Sequence, residues 1–149
     1  MTSWLVAKPV QRIGEYHVKR DASGGLTLNA CCGPYKFGDV RVDLRPIGDI
    51  QADVRNLPFK DNVFAVAFID PPWTGGFKIA IGSTMKELVR VARIVYVLSP
   101  WTWGSSLATM TRAWVCWQPG VFPALILARY VRNETAARAV SEDHTEAAA

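Results

Sequence analysis

The stretch Val63-Phe64-Ala65-Val66-Ala67-Phe68-Ile69-Asp70-Pro71-Pro72-Trp73 decides how this chain is read. Val63 to Ile69 is apolar throughout, the pattern of a central parallel strand covered on both faces. The run halts at Asp70. Pro71 and Pro72 then end the strand and hold the backbone extended, so the chain leaves the sheet in a fixed direction. Neither proline has an N–H to enter a ladder, and their carbonyls remain available as acceptors.

Toward the N-terminus, three shorter strands are expected. Leu26 to Cys31 reads as a buried strand followed by Gly33-Pro34. Val40 to Leu44 alternates and is closed by Pro46, and Asp49 to Asp53 is a third strand. Asn56 to Asn62 reads as a loop. Toward the C-terminus, Ile81, Met85, Leu88, Val89 and Ala92 recur at helical spacing, with Lys86, Glu87, Arg90 and Arg93 on a polar face. Thr84 and Glu87 stand at capping-box spacing, which starts the helix at Thr84 or earlier. Ile94 to Leu98 is a further buried strand, ended by Ser99-Pro100. Ser105 to Arg112 is expected as a short helix. Ala113 to Trp117 and Ala124 to Val131 are expected as an antiparallel hairpin through Gln118-Pro119-Gly120, at one edge of the sheet. No internal repeat is read. Short apolar strands interleaved with a helix predict an α/β fold with one mostly parallel open sheet.

The chain has 149 residues, enough for one domain and too few for two ordinary ones. The expected division is an N-terminal extension packed on the domain (1–25), the domain itself (26–132), and a tail (133–149) that is a frayed helix or disordered. Lys and Arg number 17 against 13 Asp and Glu, a net charge of +4 that permits a nucleic-acid partner without demonstrating one. Cys31 and Cys32 are adjacent, Cys116 is left over, and no CxxC spacing exists. A disulfide framework and a structural zinc site are not expected, and reduced thiols fit an intracellular setting. No apolar run suits a membrane span or a secretion signal, so a cytoplasmic location is the default expectation. The sequence leaves the oligomeric state open.

Ligands of open α/β sheets bind beyond the carboxyl ends of the strands. The polar motifs gather at those ends: Asn29 to Gly33, Asp43, Asp53, Asp70 to Trp73, and Ser99 to Trp103. At the central strand a carboxylate and two proline carbonyls stand beside the flat ring of Trp73. Acceptors next to a stacking ring suit a planar base bearing an exocyclic NH2 group. Such an amine is a poor nucleophile because its lone pair is delocalised into the ring. Accepting both of its N–H bonds makes the nitrogen more pyramidal and releases that pair. The plainer alternative is a strand-ending loop with a packed tryptophan. Asp43 and Asp53 are likewise at home as turn or cap residues.

These residues resemble class I S-adenosylmethionine-dependent methyltransferases, specifically the amino-methyltransferases of adenine N6 and cytosine N4. Their motif, [DNS]-P-P-[YFW], is matched at all four positions from Asp70 to Trp73. Leu28-Asn29-Ala30-Cys31-Cys32-Gly33-Pro34 resembles the family's first motif, where Gly33 lets the methionine part approach the backbone. Asp43 matches the acid that accepts the ribose hydroxyls, and Asp53 the acid that accepts the cofactor's adenine amine. The resemblance covers roughly residues 26 to 103, about half the chain on the open-sheet reading. It implies a single Rossmann-like methyltransferase domain with S-adenosylmethionine held by Asn29, Cys31, Gly33, Asp43, Asp53 and Asp70. It implies methyl transfer to a nucleobase amine of RNA or DNA at Asp70, Pro71, Pro72 and Trp73, with no metal.

On this resemblance Phe77, after Gly75-Gly76, is a flap over the base. Lys78, Trp101 and Trp103 line the same mouth, although the two tryptophans suit core packing equally well. Lys78, Arg45 and Arg55 are candidate phosphate contacts. Cys31, Cys32 and Cys116 read as small buried residues, and His17 and His144 lack partners at useful spacing. Two departures stand out. Asn29 replaces the usual carboxylate, and only Pro34 to Asp39 separates Gly33 from the next strand, where the family has a full helix. Either a tight turn replaces that helix or the cofactor site is incomplete. No stretch is long enough for a separate recognition domain, which points to accessible bases, to a protein partner that recognises the target, or to a small base-like substrate. Two further readings are methyl transfer to a small molecule or protein amide, and a catalytically silent Rossmann-like binding module.

Overall fold

A parallel strand must be followed by a return to the starting edge of the sheet, and a helix usually makes that return. This chain dispenses with the helix three times, in the returns at residues 31–39, 44–49 and 52–63. The computed structural model describes residues 25–72, 75–116 and 124–135, without the side chains of 75–80. Seven strands form one sheet: β1 (Thr27–Ala30), β2 (Val40–Asp43), β3 (Ile50–Gln51), β4 (Phe64–Ile69), β5 (Ala92–Ser99), β6 (Ala108–Cys116) and β7 (Leu125–Arg132). Their order is β3-β2-β1-β4-β5-β7-β6. The first five run parallel, and β7 lies antiparallel between β5 and β6. The direction of winding reverses between β1 and β4, the switch point at which such sheets open a crevice. Between β4 and β5 the return is made by α1 (Gly75–Val91).

One face of the sheet is sealed. Leu28, Ala30, Val40, Val42, Ala67, Ile69, Val95, Val97, Ala128 and Tyr130 are buried there, in one cluster with Met85, Leu88 and Val89 of α1 and with Val54, Leu57 and Phe59. The opposite face differs from the expectation of equal cover. Its central residues Val66, Phe68, Ile94, Tyr96 and Leu98 are only half-buried, and among the described residues no second long helix covers them.

The β1–β2 return, residues 31–39, is the tight turn that the short spacing allowed. Asp39 seals it: its carboxylate accepts the N–H of Thr27 at 2.8 Å and its own N–H is donated to the Thr27 carbonyl at 2.8 Å. The β2–β3 return is sealed the same way. Asp49 accepts the Arg41 N–H at 2.9 Å and donates its own to the Arg41 carbonyl at 2.8 Å. Each aspartate follows a glycine pressed against the preceding strand. A Cβ on Gly38 (φ +97°) would stand 3.0 Å from Asn29, and one on Gly48 would stand 2.7 Å from the Arg41 carbonyl oxygen.

These paired devices expose a short repeat, contrary to the expectation of none. Gly38-Asp39-Val40-Arg41-Val42-Asp43-Leu44-Arg45 corresponds step by step to Gly48-Asp49-Ile50-Gln51-Ala52-Asp53-Val54-Arg55. A close-approach glycine, a sealing aspartate, a strand, a second aspartate and an arginine recur in order.

Three other expectations are corrected. α1 starts at Gly75, the earlier start that the sequence left open, with Thr84 fully buried within it; but Ala92 opens β5 rather than continuing the helix. Glu87 and Arg90 are not on a solvent face. The Glu87 carboxylate accepts the Leu57 N–H at 2.7 Å and both ends of the Arg90 guanidinium at 2.8 Å, while Arg90 also donates to the carbonyls of Phe59 and Leu57 and to Asp61. All five guanidinium N–H groups are thereby used, which is what lets the pair be buried. Residues 108–112 belong to β6 rather than to a short helix. A bulge between Met110 and Arg112 breaks the alternation that marks a strand in sequence. Cys116 and Trp114 are exposed, because β6 is the edge strand. The N-terminal extension to Gly24, the turn at 118–120, Trp117, the tail beyond 135, His17 and His144 lie outside the described residues.

Candidate active site

The carboxyl ends of β1, β2, β3 and β4 converge at the switch point, and the chain places its acids there. β1 runs out into a turn in which Cys31 and Gly33 both adopt left-handed backbone, φ 52° in each. The turn is bonded to β2 through the Cys32 N–H and the Val42 carbonyl, 3.0 Å. Left-handed backbone suits Gly33, which has no Cβ; Cys31 adopts it at a cost in strain.

Asp43 closes β2 and is nearly buried. Its Oδ2 accepts the Gly33 N–H at 3.0 Å, and its Oδ1 accepts the Arg45 N–H at 2.9 Å and the Arg45 Nε–H at 3.2 Å. Burial alone would raise its pKa, but the N–H groups of Arg45 and Gly33 and the Arg45 guanidinium outweigh it and hold the carboxyl below the ordinary range. A carboxylate has about four acceptor positions, so one on Oδ2 stays open. Asp53 follows β3. Arg55 chelates it through its backbone N–H at 2.9 Å and through a two-pronged guanidinium contact, and this hydrogen bonding lowers the Asp53 pKa. Arg45 and Arg55 therefore spend their charge on the two acids, which qualifies their reading as phosphate contacts.

Asp70 follows β4 and is half-buried. Among the described residues its carboxylate has no hydrogen-bond partner, and burial raises its pKa with nothing to oppose it. Pro71 is buried and Pro72 exposed. The Cys31 thiol registers the whole gathering. Burial pushes it up to about 12, and the charges of Asp43, Asp70 and Asp53 act in the same direction. Cys31, Gly33, Asp43, Asp53 and Asp70 are thus brought to one mouth. Asn29 is fully buried and its amide is donated to the Phe37 carbonyl at 3.1 Å, so it fastens the β1–β2 return.

Trp101 and Trp103 follow β5, the strand beside β4. Trp103 packs on the core, and its backbone N–H and C=O both bond the Tyr130 hydroxyl, at 2.8 and 3.0 Å. Trp101 is exposed and meets Trp103 edge-on at 5.4 Å. Trp73 and the side chains of Phe77 and Lys78 lie outside the described residues. The residues that sequence reading missed are Asp39 and Asp49, which seal the returns, and the capping role of Arg45 and Arg55. The repeat from Gly38 to Arg55 was their available signal.

The residues at this mouth fit the cofactor that the sequence resemblance implies, S-adenosylmethionine. A Cβ on Gly33 would meet nothing nearer than Tyr35, at 4.0 Å, so the loop leaves an open cradle. The free position on Asp43 is an acceptor for a hydroxyl. Asp43 and Asp53 are paired with Arg45 and Arg55, so the negative charge left at this mouth among the described residues is that of Asp70.

No family model matches the chain, and no curated protein sequence matches it. Solved structures similar to it include two that cover most of both chains. One comes from work on the conversion of a disulfide bond into a thioacetal group during echinomycin biosynthesis: 14% identity, TM-score 0.53, covering 82% of this chain and 81% of that one. Another is the PH0226 protein from Pyrococcus horikoshii OT3: 17% identity, TM-score 0.53, covering 81% of this chain and 86% of that one. At such identities the likeness is one of fold. It agrees with the strand order: a single mixed α/β domain with a mostly parallel sheet and antiparallel C-terminal strands, a Rossmann-like architecture.

Proposed function

We propose that this chain is an S-adenosylmethionine-dependent methyltransferase acting on the exocyclic amine of a nucleobase, adenine N6 or cytosine N4, in RNA or DNA. The observation that carries the reading is the half-buried Asp70 carboxylate, without a hydrogen-bond partner among the described residues, at the end of β4 and at the same mouth as Cys31, Gly33, Asp43 and Asp53. The Asp70-Pro71-Pro72-Trp73 sequence supplies the substrate half of the argument.

When bound, S-adenosylmethionine supplies an electrophilic methyl group. Gly33 would hold its methionine part, Asp43 its ribose and Asp53 its adenine amine. Arg45 and Arg55 fix the two carboxylates in orientation and keep them ionised. At the substrate side Asp70 and the Pro71 carbonyl each accept one N–H of the target amine, which withdraws its lone pair from the ring and aims it. Trp73 stacks on the base, and Trp101 forms the exposed rim. The leaving group is neutral, so the task of the site is chiefly positioning and desolvation. The partner is an accessible base in a single strand, delivered directly or by a protein that recognises the target.

The test is methyl incorporation into RNA, DNA and protein fractions, followed by mass spectrometry of the nucleosides. Methyladenine or methylcytosine dependent on Asp70 supports the reading, and label confined to protein or small molecules overturns it. A second reading, a silent binding module, is favoured by one observation: the donors of Gly33, Arg45 and Arg55 already occupy much of Asp43 and Asp53. Calorimetry with S-adenosylmethionine separates the two, since a silent module gives no heat of binding.

A further inference from the structure

The half-covered face of the sheet carries an ordered row of side chains. Register places Phe68, Tyr96, Arg129 and Arg112 side by side across β4, β5, β7 and β6. Three strand spacings make the row about 14 Å long. Phe68 shares a face with Asp70 two residues on, so the row begins beside the mouth. At its far end Trp114, two residues beyond Arg112 and on the same face, lies over Tyr96 with ring centroids 6.4 Å apart and planes 23° from parallel. Trp114 is 40% exposed and Arg112 is exposed.

Within β6 and β7 the charge has one sign. β6 and β7 contain Arg112, Arg129 and Arg132 and no acidic residue. Arg132 is turned to Asn62 and the Val89 carbonyl. The Arg129 guanidinium donates to the Thr111 hydroxyl at 2.8 Å, a neutral partner that fixes its position, and it makes no ion pair among the described residues. Arg112 makes no ion pair among the described residues. We infer that this face is a binding track for single-stranded nucleic acid, with Arg112 and Arg129 on the phosphates and Trp114 under a base. Its direction, toward the mouth, rests on the reading of Asp70 as the substrate end. A flat exposed ring beside two guanidiniums that make no ion pair among the described residues suits an unstacked base and its backbone. An apolar protein surface would bury both charges without partners, and a duplex would keep its bases stacked away from the ring.

The experiment uses the full chain with fluorescent oligo(dT) and oligo(U) of about 12 nucleotides, within the usual single-strand site size. Thymine and uracil have no exocyclic amine, so these probes report the track and not the chemistry at Asp70. Anisotropy titrations across a salt series are expected to show binding that weakens steeply with salt. Arg112→Gln with Arg129→Gln lowers affinity at least tenfold and flattens the log–log salt slope by about 1.4, or 0.7 for each phosphate no longer neutralised. Arg112→Gln alone, at an exposed position, gives half that change in slope. Trp114→Leu weakens binding roughly tenfold with the slope unchanged, as expected for stacking. Either probe binding with these effects supports the track, and a difference between the two assigns DNA or RNA. Absence of binding at low salt, or binding indifferent to all three substitutions, overturns it. So does sedimentation showing a dimer that Arg112→Gln dissociates, which would give the face to a second copy. Failure of the methylation reading looks different: amine-bearing oligonucleotides remain unmethylated while oligo(dT) still binds.

Discussion

Asp70 combines two properties that conflict. Its carboxylate is half-buried without a hydrogen bond from any described residue, and burial raises its pKa. A charge so placed opposes folding. Stability at this residue is therefore full below the ordinary aspartate value of about 3.9 and is lost as pH rises through the raised folded-state pKa. Asp70→Asn is expected to raise Tm at pH 7, measured by calorimetry, and to keep part of the methyl transfer because its amide oxygen still accepts. Asp70→Ala removes the acceptor and lowers kcat by about 100-fold or more, with S-adenosylmethionine affinity unchanged. If the carboxylate is the working form, kcat/KM falls as pH drops through the raised pKa, and that limb disappears in Asp70→Asn. The cysteines give a separate test at the same scale. Cys31 is held near 12 by burial and by the three acids, Cys32 is buried, and Cys116 is exposed. Iodoacetamide on the native protein at pH 7.5 (about one unit below an ordinary thiol) is expected to label Cys116 alone. Early labelling of Cys31 would contradict the crowded acidic mouth. The acids themselves were legible in sequence, because Asp43, Asp53 and Asp70 each close a strand-like run and a strand end is where such a fold exposes its polar groups.

Elements were legible in proportion to their cover. β4 and β5 stood out because burial requires continuous apolar sequence. β6 did not, since an exposed edge strand has no face to enforce alternation and its bulge shifts the phase. The helical period of α1 was visible, but its buried Glu87 and Arg90 were not. A charge's burial depends on partners supplied by another segment, here Leu57, Phe59 and Asp61, about thirty residues upstream. That dependence makes a sharp prediction. Arg90→Met strands the Glu87 carboxylate and two loop carbonyls in the interior and is expected to destabilise by about 3–5 kcal/mol. Glu87→Leu combined with Arg90→Met should recover part of that loss, because an apolar pair of similar volume leaves no buried charge. Urea unfolding of the single and double variants measures both. If the single change costs no more than about 0.5 kcal/mol, the loop is not held by this guanidinium.

At the scale of the molecule, two of the three acids of the mouth come from a chain segment of only two repeat units. Residues 38–45 and 48–55 each seal a helixless return with one aspartate and present a second, arginine-capped aspartate at the carboxyl end. The fold thereby shortens the usual crossover and still delivers Asp43 and Asp53 to the point where β1 and β4 part. The loop after β1 hangs on the same acid through the Gly33 N–H, so a ligand that bonds Asp43 also tightens that turn. Cofactor binding is then coupled to global stability. At about 100 times its Kd, a ligand that binds only the native state adds roughly 2.7 kcal/mol. For a domain of this length that corresponds to a rise in Tm of about 5–10 °C. S-adenosylmethionine is expected to produce that rise in the wild-type chain and in Asp70→Ala, whose defect lies on the substrate side. In Asp43→Ala the rise should vanish. Asp43→Ala also starts from a lower Tm, because the Gly33 and Arg45 donors lose their acceptor, so the comparison is of shifts and not of absolute midpoints. A wild-type chain whose Tm ignores the cofactor would make the arginine caps permanent occupants of the acids, and the domain a binding module built on a Rossmann-like sheet.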